Sequence, residues 1–115
     1  MQDKEKQQAH FGLKPDFIDA MNGVFAAFPE VAQVILYGSR AKGNFRNGSD
    51  IDLCMSGQAL TTPILLRVDN ALDDLLMPYK IDLSLIEHIK NAELLEHIKR
   101  IGIVFYERKA AEKTA

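Results

Sequence analysis

Three aspartates in this sequence occupy positions where carboxylates can bind a metal ion. Asp50 and Asp52 are separated by one residue in an otherwise apolar segment, and Asp82 lies in a later segment of the same kind. Side chains two residues apart in a strand point to the same face of a sheet. Asp50 and Asp52 therefore lie together and repel each other unless a cation offsets their charge. Mg²⁺ binds a few carboxylates together with substrate phosphates, and paired carboxylates can bridge two such ions. The pattern predicts a divalent-metal site.

A glycine and a serine upstream of the aspartates supply a candidate phosphate-binding turn. Gly38 follows an apolar segment, and glycine lets the chain turn sharply and lets a ligand approach the backbone. A helix that begins at Ser39 directs N–H groups and the positive end of its dipole at an anion. Arg40, Lys42 and Arg46 are interpreted either as phosphate contacts or as ordinary surface charge, and both readings stay open. Together with the aspartates, this turn predicts a site for a nucleoside triphosphate bound with Mg²⁺.

Hydrophobic periodicity predicts the helices and strands that position these residues. In chain order the prediction is a helix over 15–28, a strand over 31–37, a short helix over 40–45, a strand over 50–55, a helix over 61–77, a strand over 80–86, a helix over 91–100 and a strand over 103–106. Pro15 and Thr61 mark helix starts, because proline suits the first turn and a hydroxyl caps it. The helix from Thr61 is predicted to carry Leu75 and Leu76 on its apolar face and to end at Pro78.

This order of elements predicts an α/β domain of the α+β kind, with a small mixed sheet and helices packed mainly on one face. The chain has 115 residues, of which 47% are apolar and 26% charged, a composition ordinary for a globular protein. Domains usually contain about 100–150 residues. We therefore expect one domain over residues 1–115, with polar, frayed ends over 1–13 and 107–115.

The composition also argues against several classes of protein. The formal net charge is −2, from 14 Lys and Arg against 16 Asp and Glu, so we expect no direct binding of nucleic acid through bulk positive charge. Cys54 is the single cysteine, which excludes an internal disulfide. The first residues are too polar for a signal peptide, and no apolar run approaches the roughly 20 residues of a membrane span. We expect a cytoplasmic protein without a membrane segment, and the sequence leaves homo-oligomers open.

The residues around the aspartates resemble the signature of a known superfamily. The signature of the DNA polymerase β-like nucleotidyltransferases is a Gly-Ser pair followed, after ten residues, by Asp-x-Asp. This sequence has a similar pattern at Gly38, Ser39, Asp50 and Asp52, and Asp82 matches the third carboxylate of that superfamily. The run Gly-Ser-Arg-Ala-Lys-Gly and the small size most resemble the minimal nucleotidyltransferases (MNT-type) of prokaryotes. The resemblance covers about residues 31–86 by motif and most of the chain by element order. It implies the nucleotidyltransferase fold.

The resemblance also implies an activity and residue roles. Known members transfer a nucleoside monophosphate from a nucleoside triphosphate to a hydroxyl with two Mg²⁺ ions, for which Mn²⁺ can substitute. The implied catalytic residues and metal ligands are Asp50, Asp52 and Asp82, and the implied nucleotide-binding residues are Gly38, Ser39, Arg40, Asp50 and Asp52. Asp82 would bind the catalytic metal and help to deprotonate the acceptor hydroxyl. Gly38 and Ser39 would hold the β- and γ-phosphates.

A partner protein is implied by the same resemblance. Many MNT proteins are encoded beside a HEPN-domain protein, and characterised ones resemble antitoxins that adenylylate a HEPN ribonuclease with ATP. This chain lacks the Arg followed four to six residues later by His that a HEPN ribonuclease needs, and it is too short for an acceptor-binding helical domain. Two alternatives stay open: a non-catalytic antitoxin that binds a nucleoside triphosphate and acts by complex formation, and a small-molecule nucleotidyltransferase completed by a separate helical subunit.

Three other residues with reactive side chains are interpreted as structural. His88 and His97 lie near or on a predicted helix and have no spacing typical of metal ligands, so we expect them at the surface or partly buried. Cys54 falls on the same strand face as the aspartates, but a reduced structural thiol is the interpretation that we adopt.

Overall fold

The structure, a computed structural model, describes residues 10–109 and contains four helices and four strands in that range. The helices are α1 (Pro15–Ala27), α2 (Ser39–Lys42), α3 (Thr62–Asp73) and α4 (Ala92–Ile101), and the strands are β1 (Gln33–Tyr37), β2 (Ile51–Ser56), β3 (Ile81–Leu85) and β4 (Ile103–Glu107). Short 3-10 turns lie at His10–Gly12 and Ile86–His88. The predicted order of elements is confirmed.

The four strands form one mixed sheet in the order β3-β2-β1-β4. β1 pairs antiparallel with both β2 and β4, whereas β2 and β3 run parallel. The predicted small mixed sheet is therefore confirmed. In this topology the carboxyl end of β1 meets the amino ends of β2 and β3, and this corner of the sheet holds the residues singled out by the sequence.

One face of the sheet carries the main apolar core. Alternate residues of the central strands point to this face, and the helices α1 and α3 cover it with their apolar sides. The fully or almost fully buried members of this core include Met21, Phe25, Val34, Leu36, Ile51, Leu53, Met55, Val68 and Leu72. Burial of apolar surface is the main favourable contribution to folding, so this face is where most of the stability is expected to originate.

The opposite face is covered only in part, by α4. Ile98 of that helix packs against Tyr37 and Cys54 in a second, smaller cluster. The Asn91 side chain caps this helix by accepting a hydrogen bond of 2.9 Å from the N–H of Leu94. The prediction that helices pack mainly on one face holds, with α4 as the element on the other face.

The third helix is shorter than predicted. Its start is as expected, with the Thr61 hydroxyl accepting from the N–H of Ile64, but it ends at Asp73 rather than at Pro78. Leu76 adopts a positive φ of 56° and is 88% exposed, so it does not lie on the apolar face of a helix. A proline disfavours helical backbone in the residue before it, and the chain has already turned away before Pro78.

The chain ends are also more ordered than expected where they are described. Leu13 is fully buried in the main core. Arg108 donates hydrogen bonds to the carbonyls of Val31 and Phe28 at 3.0 and 2.9 Å. The predicted frayed ends thus include structured residues at 10–13 and 107–109, and their remaining parts, 1–9 and 110–115, lie outside the described residues. Within residues 10–109, no helix is both long and apolar enough to cross a membrane.

Candidate active site

Three side chains stand in a row across the sheet corner. Asp52 of β2 is the register partner of Tyr37 on one side and of Asp82 on the other. Register partners place their side chains on the same face of a sheet, so Asp52 lies between a phenol and a second carboxylate. Asp50 stands just before β2 and is exposed, as is Asp82. The structure therefore brings Asp52 and Asp82 together on the less covered face.

The electrostatics of this row centre on Asp52. Burial raises the pKa of the Asp52 carboxyl, and the nearby charges of Asp82 and Asp50 raise it further, while His97 acts in the opposite direction. Burial also raises the pKa of the Tyr37 phenol, an effect that Ser84 moderates and the charges of Asp82 and Asp52 increase. Carboxylates that disfavour each other's ionised form are stabilised by a bound cation.

The candidate phosphate turn lies directly against this carboxylate row. Gly38 has a positive φ of 77°, and a Cβ at this position would collide with the carboxylate of Asp52. Only glycine fits here, because it tolerates the left-handed region and leaves room for the carboxylate. The N–H of Gly38 donates a hydrogen bond of 3.2 Å to Nε2 of His97. The turn that was predicted to hold phosphates is thus adjacent to the predicted metal ligands.

Ser39 and Arg40 begin the short helix α2, but they face different surroundings. Ser39 is half-buried beside Gly38. Arg40 is only 3% exposed, and its guanidinium donates to the carbonyl oxygens of Phe11 and Ser49. These contacts turn the Arg40 side chain into the protein, whereas Lys42 is exposed. The phosphate contact predicted for Arg40 stays a prediction, and in this structure its donors bind carbonyl groups.

Two residues near the site were not identified from the sequence. His97 is partly buried, within the expectation for it, but the sequence does not indicate that its ring accepts a hydrogen bond from the backbone N–H of Gly38, 59 positions earlier in the chain. Its ring also meets Tyr37 edge-on, with the ring centroids 6.3 Å apart. No motif spacing in the sequence identifies His97 as a residue of the site. Tyr37 could have been identified, because it directly precedes the Gly-Ser turn.

Cys54 is buried, and burial raises the pKa of its thiol to about 11, which agrees with a structural thiol.

The carboxylates fit a cation that arrives with a ligand. Among residues 10–109, no group of three or more His, Cys, Asp or Glu side chains is gathered so that it could hold a metal ion. Asp52 and Asp82 are nevertheless register partners on neighbouring strands. Mg²⁺ typically uses one or two protein carboxylates and completes its coordination with water and substrate phosphates. The donor set therefore suits Mg²⁺ in the company of a phosphate ligand.

The sequence of residues 20–111 matches the family described as "Polymerase beta, Nucleotidyltransferase". The chain belongs to this family. The match includes the Gly-Ser turn and all three aspartates, so it spans the whole sheet corner. Nucleotidyltransferases of this family generally use a nucleoside triphosphate and a divalent metal, which agrees with the donor set described above. No curated protein matches the chain.

Several solved structures with the same fold are toxin–antitoxin complexes. A chain from the crystal structure of a toxin–antitoxin with AMP-PNP superposes with a TM-score of 0.64 at 17% identity, over 80% of this nucleotidyltransferase and 74% of that chain. A second match is the complex of tri-AMPylated Shewanella oneidensis HEPN toxin with MNT antitoxin, with a TM-score of 0.60 at 14% identity, over 82% and 72% of the two chains. A third is the toxin–antitoxin MntA-HepT, at 0.59 and 14% over 83% and 74%. At these identities the likeness establishes the minimal nucleotidyltransferase fold.

Proposed function

We propose that this protein is a Mg²⁺-dependent nucleotidyltransferase that moves AMP from ATP to a hydroxyl of a HEPN-type partner protein and acts as its antitoxin. The observation that carries the proposal is the close approach of Gly38 to Asp52, with Asp82 as the register partner of Asp52. This arrangement supports the proposal because it brings the Gly38–Ser39 turn next to two carboxylates of the kind that Mg²⁺ binds. A triphosphate bound with its metal needs both on one side of the sheet.

Each residue in the proposal has a distinct role. Asp50 and Asp52 bind the metal ions and, through them, the nucleotide. Gly38 and Ser39 hold the β- and γ-phosphates. Asp82 is exposed and can accept the proton of an incoming acceptor hydroxyl. The acceptor oxygen forms a bond to the α-phosphorus, the bond to the β-phosphate oxygen breaks, and pyrophosphate leaves. Mg²⁺ neutralises the charge on the phosphates when it is bound.

The partner in the proposal is supported by the solved structures. One similar structure is a toxin–antitoxin with AMP-PNP, and another holds a tri-AMPylated HEPN toxin with its MNT antitoxin. In this protein the row that starts at Tyr37 ends with Asp82 on β3, which is an edge strand of the sheet. A second protein could therefore place a hydroxyl beside Asp82 without displacing a neighbouring strand.

The proposal is tested by co-expression with a HEPN-type helical protein, followed by intact-mass measurement of that partner. We expect added mass of one or more AMP units with the wild-type chain. The double substitution Asp50→Asn with Asp52→Asn should abolish the modification while the fold stays intact or becomes more stable, because the repulsion between carboxylates is relieved. The matched control is Asp19→Asn, which makes the same chemical change at an exposed position of α1 and should leave the modification unchanged. Wild-type transfer by the double variant would place the site elsewhere.

Metal dependence provides a second measurement that does not need the partner. We expect ATP to bind with Mg²⁺ or Mn²⁺ and to bind very weakly in EDTA, because carboxylates on this corner repel a bare triphosphate. Titration calorimetry under both conditions measures the difference. Equal affinity with and without metal would contradict a metal-bridged nucleotide.

A second candidate function is a non-catalytic antitoxin that binds the nucleotide and its partner. The observation that favours it is that similar solved structures are complexes of a toxin with its antitoxin. Asp82→Asn separates the two functions, because it leaves the docking surface in place but removes the proposed proton acceptor. If the partner is silenced equally well by this variant and never carries AMP, neutralisation occurs by binding.

The small-molecule nucleotidyltransferase is the third candidate. Transfer of AMP to a small molecule, with no AMP found on any protein, would favour it.

A further inference from the structure

Arg40 is a buried cation whose surroundings are unusual. It is 3% exposed and is the one charged or polar residue among the buried positions of the described chain. Within residues 10–109 no carboxylate forms a salt bridge with it. Burial of an unpaired charge is costly unless its hydrogen-bond donors are satisfied. The contacts that satisfy this guanidinium therefore indicate what the side chain is for.

The guanidinium joins two backbone segments on either side of α2. Its Nε and Nη2 atoms donate to the carbonyl oxygen of Ser49 at 3.2 and 2.9 Å, and Nη1 donates to the carbonyl of Phe11 at 2.8 Å. Ser49 is the residue directly before Asp50. The segment that carries a proposed metal ligand is thus bound to the side chain that follows Ser39 in the phosphate turn.

Two aromatic rings hold the same guanidinium. Its central carbon lies 5.1 Å from the ring centroid of Phe45 and 5.2 Å from that of Tyr79, within the range of cation–π attraction. Tyr79 stands in the loop that leads into β3, three residues before Asp82. Arg40 therefore contacts the approaches to both strands that carry the proposed metal ligands.

The space around this contact is closely filled. Gly12 has a positive φ of 74°, and a Cβ there would lie 2.7 Å from Cζ of Phe45 and 2.8 Å from Nη1 of Arg40. Gly12 therefore does not tolerate an added methyl group unless the Phe45 and Arg40 side chains shift. The turn before α1 is thus fitted against the pair formed by Arg40 and Phe45.

We propose that Arg40 is a positioning residue: it fixes the Ser49–Asp50 segment and the approach to β3 relative to the Gly38–Ser39 turn, and it does so without contacting phosphate. The proposal rests on the proposed function for the identity of the site. The Nε, Nη1 and Nη2 atoms of the guanidinium donate hydrogen bonds to backbone carbonyl oxygens, and two aromatic rings contact the guanidinium through cation–π attraction. A lysine keeps the charge but has neither the fork nor the planar surface, so it cannot replace these contacts.

The test compares Arg40→Lys and Arg40→Met with Arg67→Lys, a matched change at an exposed position of α3. With the co-expressed partner as acceptor, both Arg40 variants should lower kcat by about tenfold to a hundredfold, the loss typical of a displaced catalytic group. The KM for ATP should change little, and lysine should not rescue the rate. Full rescue by lysine, or a rise in KM with kcat unchanged, would identify Arg40 as a phosphate contact and overturn the proposal.

A second readout separates this inference from the proposed function. Hydrogen exchange of the nucleotide-free protein should become faster in the segment around Ser49 for Arg40→Lys and stay unchanged for Arg67→Lys. This difference is expected even if no transfer activity is found. Unchanged exchange in that segment would contradict the positioning role. Faster exchange spread evenly over the sheet would also contradict it, because it would mean that Arg40 contributes only to overall stability.

A milder variant covers the case in which the Arg40 variants do not fold. Phe45→Leu removes one ring from the guanidinium and leaves its carbonyl bonds in place, so it should give a smaller fall in kcat with the same unchanged KM. If the Arg40 variants are unfolded and Phe45→Leu has wild-type kcat and wild-type exchange around Ser49, the positioning role is wrong.

Discussion

The two faces of the sheet differ in what they contain, and a single strand shows the difference. In β2, Ile51, Leu53 and Met55 are fully buried under α1 and α3. Asp52 alternates with them and points to the other face, where burial raises its pKa and a second carboxylate stands beside it. Because side chains alternate along a strand, the apolar core lies on one face of the sheet and the proposed site on the other. Substitutions should therefore separate stability from activity.

The largest effect is expected on the packed face. Phe25 is fully buried and meets Phe105 edge-on at a centroid distance of 6.4 Å. Phe25→Ala should lower the free energy of unfolding by about 3–5 kcal/mol, because it removes buried apolar surface and leaves a cavity. Urea denaturation measures the loss, and Leu66→Ala, at a position 56% exposed, is the control and should change stability by less than about 0.5 kcal/mol. Similar losses from both variants would mean that the packed face is not the main source of stability.

The next effect tests the contact between the phosphate turn and the carboxylate row. Gly38→Ala adds a methyl group against Asp52 at a φ of 77°, so it should cost about 1–3 kcal/mol of stability and weaken the binding of ATP. Gly43→Ala is the matched control, because its φ of 91° imposes the same kind of strain while nothing lies within 4 Å of the added methyl group.

The difference between these two glycine variants isolates the collision with Asp52. Chemical denaturation and metal-dependent ATP binding should both be more affected by Gly38→Ala. Equal losses in the two variants would show that backbone strain alone matters and that Gly38 does not closely approach the carboxylate.

A smaller effect concerns the dependence of stability on pH. The pKa of Asp52 is raised in the folded protein above its usual value of 3.8, chiefly by burial. The folded state therefore holds this proton more tightly than the unfolded state, and stability falls as the pH rises from the usual value through the raised one. In EDTA, Asp52→Asn should raise the melting temperature at pH 7, and the gain should shrink toward pH 4.

The control for this pH series is Asp19→Asn, at an exposed position of α1. Melting curves of both variants between pH 4 and 8 check the prediction. A melting temperature for Asp52→Asn that falls below that of the wild type at pH 7 would mean that the Asp52 carboxylate stabilises the metal-free fold.

The smallest effect on function is expected from Cys54, which lies on the reactive face. Its thiol is 1% exposed, and burial raises its pKa from 9.0 to about 11. At pH 8 the thiolate fraction should be about 100-fold lower than for an ordinary thiol, so alkylation by iodoacetamide should be slow in native protein and fast in urea. Cys54→Ala should leave AMP transfer close to wild type. Rapid alkylation of the native protein would show that this face opens to solvent as far as Cys54.

Much of the architecture could be predicted because it depends on local patterns. Alternation along 50–55 predicted that Asp50 and Asp52 share one face of the strand, and the hydroxyl of Thr61 predicted the start of α3. The end of that helix was predicted wrongly. Apolar residues at Leu75 and Leu76 continue the helical spacing, but the chain turns before Pro78 and leaves Leu76 exposed.

The sequence by itself determined the order of elements, the inward and outward faces of β2 and the close spacing of the Gly-Ser turn and the aspartates, because each follows from neighbouring residues. Only the tertiary structure decided that His97 binds the Gly38 N–H, that Tyr37 joins Asp52 and Asp82 in one row, and that Arg40 binds backbone carbonyls. The partners of these residues come from separate parts of the chain and meet only after the strands have paired. An arginine has the same charge whether it binds phosphate or carbonyl groups, and the surrounding fold determines which of them its guanidinium reaches.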